Sequence, residues 1–496
     1  MRRSTYRIAA LLALGATLAT RLLWLRQTAP PPIGPVDAEG YHLLALNMLA
    51  GRGFAIGWTP PFCATAIRPP LYPLFLMLNY LALGASPARA VLMQVLLAVL
   101  TTALVIRLGR EVGGARAGVL AGWLYVLNGT TQRYIGYLLA ETLLLPLMTA
   151  ALWASVRSLK RPSIRKNLLA GALWGLTLLT KPNVQYLALF IGGLITMRLV
   201  VARHSAVASL VYPPKGDLAQ PPPGFLRITH YARRALPFWL ALLLILCPWL
   251  ARNRIVMGRW MLSDAFEENL ARVSAVATLA EVAQVQAAPW TPTWEFIYDM
   301  LELRAAIRYD WNAAEVDVGA CEARTERHRQ LAALAREVLV QHPRAWITAH
   351  LRGVGRSLLD VGHHYWYRTL CGRAWETTGV APDIWARMGW SLKRGAFGDA
   401  IAALVRERIA RPPWPAALLW WALLSGRLLV WALSLRGLAR LRSAPDIALL
   451  LGMTVAYVVI LPGPIAYDRF YTPAIPAVVV LMAQKRPDRF RNLSGL

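Results

Sequence analysis

Apolar residues run along this chain in long blocks separated by short polar stretches. The clearest blocks are residues 8–25, 88–106, 143–156, 185–200, 236–251, 414–435 and 446–462. Several approach the roughly 20 residues that a helix needs to cross a hydrocarbon core of about 30 Å. Shorter blocks near 116–130, 168–182 and 473–484 work as spans only with tilt or local bilayer thinning. A different pattern occupies 270–285 and 331–359, where apolar residues recur every three or four positions, as in amphipathic helices. Pro343 suits the first turn of the second helix in that region. Residues 213–224, rich in Pro and Gly, read as a flexible loop.

Composition turns this pattern into a membrane protein. The 496 residues are 56% hydrophobic, too apolar for an ordinary soluble domain. The first block follows Met-Arg-Arg, as a signal peptide would. Arg21 and the bulky Leu22, Leu23 and Trp24 nevertheless stand where cleavage needs small residues, so the block is expected to remain as a helix.

The net charge of +28 does not point to nucleic acid, because the excess Lys and Arg lie between apolar blocks rather than along one soluble face. About two thirds of the 26 acidic residues fall between Arg252 and Pro412. The basic stretches 107–116, 157–166, 198–234, 436–442 and 485–491 are placed in the cytoplasm by the positive-inside rule. The alternation closes if Leu71–Gly84 lies in the outer interface instead of crossing. About ten spans result, with both termini inside.

The expected architecture is therefore all-α and polytopic. A transmembrane region covers 1–251 and includes a first outer loop at 27–87; an outer helical domain covers 252–413; a C-terminal transmembrane region covers 414–496. Cys63, Cys321 and Cys371 fall in outer segments, where a bridge between two of them is chemically allowed, whereas Cys247 lies in an apolar block.

Candidate chemistry gathers in the outer segments. Asp37 and Glu39 follow the Pro30-Pro31-Pro32 exit from the first block; they suit a solvated helix start or a general base acting on an acceptor hydroxyl. Arg68 precedes Pro69 and Pro70, which stiffen the chain beside it, and a guanidinium held there can clamp a phosphate. Glu141 interrupts an apolar run at an outer helix end, where an ionisable group is costly and functional by default. Lys181-Pro182-Asn183 ends another run on the same side. Arg252-Asn253 after Pro248-Trp249 suits an interfacial anchor as well as a site. Asp468 and Arg469 join two apolar blocks, and they either neutralise each other or turn Arg469 toward a phosphate. His363-His364 is too little for a metal site without further ligands, and no Walker loop, Gly-rich dinucleotide turn or CxxC pair is present. The charge rule puts all of these candidates in one compartment, although they come from five distant parts of the chain.

These motifs resemble the multispanning lipid-linked-sugar glycosyltransferases of the GT-C fold, close to the family 39 protein mannosyltransferases and the aminoarabinose-type transferases. The resemblance rests on Asp37 to Tyr41, Arg68 to Pro73, Ala140-Glu141-Thr142, Lys181-Pro182, Pro248-Trp249 with Arg252-Asn253 and Gly258, and Arg469-Phe470-Tyr471 with Pro473 and Pro476. It implies transfer of one sugar, with inversion, from a polyprenyl-phosphate donor to a glycolipid, polysaccharide or protein acceptor. The setting it implies is the outer face of a bacterial cytoplasmic membrane. Asp37 is then the candidate base with Glu39 as second choice, and Glu141 takes the family's second acidic position. Arg68, Lys181 and Arg469 are the cations available to the donor phosphate. No nucleotide sugar is needed, and since some GT-C enzymes use a divalent metal and others do not, metal dependence stays open. The departure from members with two directly adjacent acids, Ala38 standing between Asp37 and Glu39, leaves the choice of base between them. The rival reading is a transporter or flippase of lipid-linked sugars. Charged motifs at one face, rather than at the bilayer midplane, and the absence of an internal repeat both count against it.

Overall fold

The computed structural model describes residues 3–34, 36–211, 224–285, 291–309, 311, 321–361, 366, 391, 395–406, 414–466 and 468–484. Among these residues the chain is helical, apart from one two-stranded hairpin. The Pro- and Gly-rich stretch at 213–224, His363-His364 and Cys371 lie almost wholly or entirely outside the described residues.

The first helix, α1 (Arg3–Thr28), exits through the prolines into α2 (Val36–Leu49). Then come β1 (Ala55–Ile56) and β2 (Cys63–Ala64), paired antiparallel with Ala55 opposite Ala64. The short α3 (Leu71–Leu83) starts just after Pro70 and ends at Gly84. Next, α4 (Pro87–Val126) is two helices meeting at Gly114, whose φ of 83° departs from the helix. The chain folds back there, so that Gly109 packs against Gly118 and Ala121. Only a residue without a Cβ takes that left-handed conformation without strain. The expected basic turn at 107–116 is thus the tip of a helical hairpin.

A short α5 (Gly129–Arg133) and the irregular 134–140 lead into α6 (Glu141–Lys160), α7 (Ile164–Thr180), α8 (Gln185–Val211) and α9 (Gly224–Met257). Together with α17 (Pro445–Ile460) and α19 (Ile475–Met482) these form the main apolar core, around Leu144, Met148, Trp174, Leu450 and Val480. Leu11, Leu244 and Leu429 instead point outward, 66%, 74% and 58% exposed. Helices apolar on their outer face as well as their inner face belong in lipid. Among the described residues five helices are long and apolar enough by themselves to cross a bilayer: Arg3–Thr28, Pro87–Val126, Glu141–Lys160, Ala235–Met257 and Ala417–Arg440.

A second core lies within residues 270–349. After the short α10 (Ala265–Asn269), it joins a π-helical turn at Leu270–Ala275, α11 (Val276–Val282), α12 (Pro292–Arg308), α13 (Cys321–Gln341) and α14 (Pro343–Leu359) around Trp294, Leu301, Leu331 and Val338. As expected, α14 opens with Pro343 in its first turn. The remaining elements are α15 (Phe397–Val405), the long α16 (Trp414–Arg440) and α18 (Asp468–Tyr471), which lies just before α19.

The second core reaches the main apolar core through α14. Gly353 packs directly on the carbonyl of Gly463, His350 meets the Ile460 carbonyl at 2.9 Å and Arg356 donates to the Pro464 carbonyl. The segment so held leads directly to Arg469.

Candidate active site

Five of the six candidate site residues converge on one cluster, four of them placed by helix ends and Arg68 by a loop. Asp37 sits in the first turn of α2, where the helix dipole favours a carboxylate. Arg68 comes from the loop after β2 and reaches Asp37 Oδ1 at 2.5 Å. Glu141 is the first residue of α6. Lys181 ends α7, where its N–H still donates to the Thr177 carbonyl before Pro182 stops the helix, and its Nζ lies 2.7 Å from Glu141 Oε1. Arg469, on α18, ties the cluster together. Its Nε lies 2.7 Å and its Nη2 3.3 Å from the Glu141 carboxylate, and Nη2 also reaches Asp37 Oδ2 at 2.8 Å.

Three cations against two carboxylates leave one net positive charge in this group. The cluster also has a direction. Glu141 and Arg469 are 2% and 6% exposed, whereas the side chains of Asp37 and Arg68 keep 32% and 26% of their surface. A ligand approaching from solvent therefore meets Asp37 and Arg68 first. Burial alone would push the Asp37 carboxyl up, but Arg68 and Arg469 beside it outweigh that cost and hold it below the usual carboxylate range. Asp37 is therefore ionised at neutral pH.

Uncharged side chains hold the frame. Gln94 of α4 is fully buried and accepts from Tyr72 at 2.5 Å and from Thr142 at 2.9 Å. It donates to the carbonyls of Ile135 and Tyr137 at 2.9 and 3.0 Å. These bonds fix the stretch that delivers Glu141, and the Leu138 N–H on the Pro32 carbonyl ties it to the segment that delivers Asp37. The signal that could have revealed Gln94 is a lone amide inside an apolar block. Arg252 donates to the carbonyls of Thr65 and Phe54, so it clamps the hairpin that precedes Arg68.

Glu39 stands outside the cluster. Its exposed carboxylate accepts from Trp58 Nε1 at 3.3 Å. Residues two apart on a helix point about 200° apart, so Asp37 and Glu39 cannot share one pocket wall. Nothing is described for the Asp468 side chain. Cys63 is disulfide-bonded and Cys247 is free. Among the described residues no group of three or more His, Cys, Asp or Glu could hold a metal ion. Asp37 and Glu141 already face three cations, so this donor set does not fit a divalent metal.

Residues 67–212 match the family model described as dolichyl-phosphate-mannose-protein mannosyltransferase, under a third of the chain. The matched segment holds Arg68, Glu141 and Lys181, and Asp37 and Arg469 fall outside it. It agrees with the resemblance carried by the motifs. Fold and match together give the class: an all-helical membrane protein with a segment that matches a glycosyltransferase family model. Solved structures with similar folds include the oligosaccharyltransferase AglB from Archaeoglobus fulgidus in complex with an inhibitory peptide and a dolichol-phosphate. It shares 12% identity at a TM-score of 0.46, over 96% of this chain and 50% of that one. ArnT from Cupriavidus metallidurans bound to undecaprenyl phosphate shares 14% at 0.38, over 97% and 77%. The Archaeoglobus fulgidus enzyme in complex with Zn and sulfate shares 12% at 0.39, over 96% and 48%. The chain spans about half the length of the archaeal enzyme, and with every score below 0.5 none of these likenesses bears on function. No curated protein matches the sequence.

Proposed function

We propose that this protein transfers a single sugar from a polyprenyl-phosphate donor to an acceptor hydroxyl, with inversion, at the outer face of a bacterial cytoplasmic membrane. The observation that carries the reading is the cluster itself, with a carboxylate at its open edge and one surplus positive charge behind it. The dolichyl-phosphate sugar named in the matched family's description supports the donor class. A disulfide on the loop that carries Arg68 supports the outer compartment, since such bonds persist in oxidising surroundings.

In this reading the donor phosphate takes the surplus charge and competes with Asp37 for Arg68 and Arg469. Losing those two partners raises the basicity of Asp37 just as the donor arrives. The carboxylate then takes the acceptor's hydroxyl proton while the acceptor oxygen attacks the anomeric carbon from the face opposite the phosphate. The bond from that carbon to the phosphate oxygen breaks, and its electron pair leaves with the lipid phosphate. Arg68, Lys181 and Arg469 stabilise the charge developing there, the arginines through forked hydrogen bonds. Glu141 keeps Lys181 and Arg469 in place. Its burial suits a positioning role better than contact with an acceptor.

The test is transfer of label from a panel of polyprenyl-phosphate monosaccharides into an envelope extract by purified protein in nanodiscs. The expected result is transfer from at least one donor and its loss in Asp37→Asn at unchanged folded yield. Normal transfer by that variant rejects Asp37 as the base. If no donor is consumed while labelled lipid changes leaflet in proteoliposomes, the transporter reading replaces this one.

A further inference from the structure

A second pair of side chains crosses the same seam as Asp37 and Arg68 and is used by nothing described so far. Asp37 meets Arg68 across the seam between the first turn of α2 and the hairpin loop; two residues further along α2, Glu39 meets Trp58 of that loop. The step along the helix axis is about 3 Å, and the side chains turn from the inner to the outer side of the helix. Trp58 is 57% exposed, yet it is firmly placed. Asn47 donates to the carbonyls of Ala55 at 2.9 Å and Gly57 at 3.1 Å, Arg252 grips both sides of the hairpin, and the Trp58 indole Nε1 is tied to Glu39. Behind it stands the His42 ring, 6.4 Å from Trp58 between centroids and bonded to the Tyr80 hydroxyl at 2.8 Å.

The chemistry of this pair selects its ligand. An exposed indole ring offers an apolar, electron-rich face. A carboxylate at its edge accepts hydrogen bonds and repels phosphate, so neither the donor phosphate nor an anionic headgroup is suited to it. Burial holds the His42 imidazole below its usual range against the pull of Glu39, which keeps that wall uncharged. An indole serving only as an interfacial anchor would keep its N–H for headgroups. Here the N–H is spent on Glu39. A ligand with an apolar ring face and hydroxyls around its rim satisfies both groups at once.

We propose that Trp58 and Glu39 form an acceptor subsite for a neutral sugar ring, which stacks on the indole and donates hydroxyl hydrogens to the carboxylate. A ring held there lies on the outer side of the first turn of α2, about 3 Å along the helix axis from Asp37, so the hydroxyl that reaches Asp37 belongs to a sugar further along the same acceptor, which passes round the helix end. The acceptor class is then a glycan or glycolipid rather than a bare protein side chain. This assignment rests on the transferase reading for its meaning but not for its test.

The experiment is saturation-transfer NMR with the full chain in nanodiscs, using methyl glycosides of mannose, glucose, galactose and arabinose as probes and a Ser/Thr peptide as comparison. At least one glycoside is expected to receive saturation on its ring hydrogens, with the signal lost in Trp58→Ala, kept in Trp58→Phe and weakened about tenfold in apparent affinity in Glu39→Gln. Asp37→Asn should keep the signal, because the rim pair does not depend on the base. No ring signal from any glycoside, or the same signal in Trp58→Ala, overturns the subsite. So does quenching of Trp58 by lipid-borne quenchers only, which would make it an anchor. Donor turnover without glycoside binding removes the subsite and leaves the transferase; glycoside binding without turnover of any donor does the reverse.

Discussion

Around the second helical core Arg308 meets Glu337 at 2.5 Å and Arg327 meets Glu302 at 2.8 Å, one cation to one carboxylate, with 25% to 46% of each side chain exposed. At the site, similar distances join Arg469 and Lys181 to Glu141, but the carboxylate is 2% exposed and the cations outnumber the acids. Distance does not distinguish the two regions. Burial and imbalance do. An exposed one-to-one pair gains little Coulomb energy in water and leaves no charge over. A buried group in which cations outnumber acids favours an incoming anion.

The largest expected effect comes from disturbing that buried balance. Glu141→Gln leaves Lys181 and Arg469 without their carboxylate and should cost roughly 3–5 kcal/mol of stability. It should also lower transfer by at least about 10²-fold, read by thermal unfolding and the donor assay on one preparation. A stable, active variant would show that Glu141 only fills space. Next is Arg469→Lys, which keeps the charge but loses the fork that reaches both acids; about a tenfold drop in transfer is expected. A smaller effect concerns pH. Because Asp37 in the free protein is held below the usual carboxylate range, the acid limb of the kcat/KM profile, which reports the free enzyme, should lie below that range, and Arg68→Ala should move it to higher pH. A limb that stays in place would mean that another group titrates.

Asp264 sharpens the comparison from the other side. It is 7% exposed, its Oδ1 has no hydrogen-bond partner, and burial pushes its carboxyl up to about 6. A raised acid adds stability at low pH that is lost as pH rises from about 4 to about 6. Asp264→Asn should therefore stabilise the protein by on the order of 2 kcal/mol above pH 6 and have no effect near pH 4, in melting curves at the two pH values. Smallest of all is Arg308→Ala, which should leave both melting temperature and transfer unchanged; a marked loss would mean that the outer pairs contribute more than their exposure allows.

Much of the site could be read from the sequence because charge is conspicuous in an apolar chain. Asp37, Arg68, Glu141, Lys181 and Arg469 each break or border an apolar block, and the charge of the loops puts them on one side. That side is all the sequence specifies. It does not say that Arg469 would bridge Asp37 and Glu141, because such a contact depends on how α2, α6 and α18 pack. Glu39 was paired with Asp37 by adjacency, and the helical turn separates them. Gln94, Tyr72 and Thr142 carry no charge and resemble their apolar surroundings, so the network that places Glu141 had no visible signature. The helices of the outer segment were legible from their three- and four-residue spacing. Their grip on the loop leading to Arg469 was not, since it is made largely with backbone carbonyls.

The Gly353 contact with Gly463 has a practical meaning for anyone recombining such proteins. Two backbones touch there with no side chain between them to adjust, so the outer segment cannot be exchanged as an independent cassette at its sequence borders. A chimera that imports a foreign α14 would have to import its own 460–466 loop as well, or α14 would push that loop, and Arg469 with it, out of register.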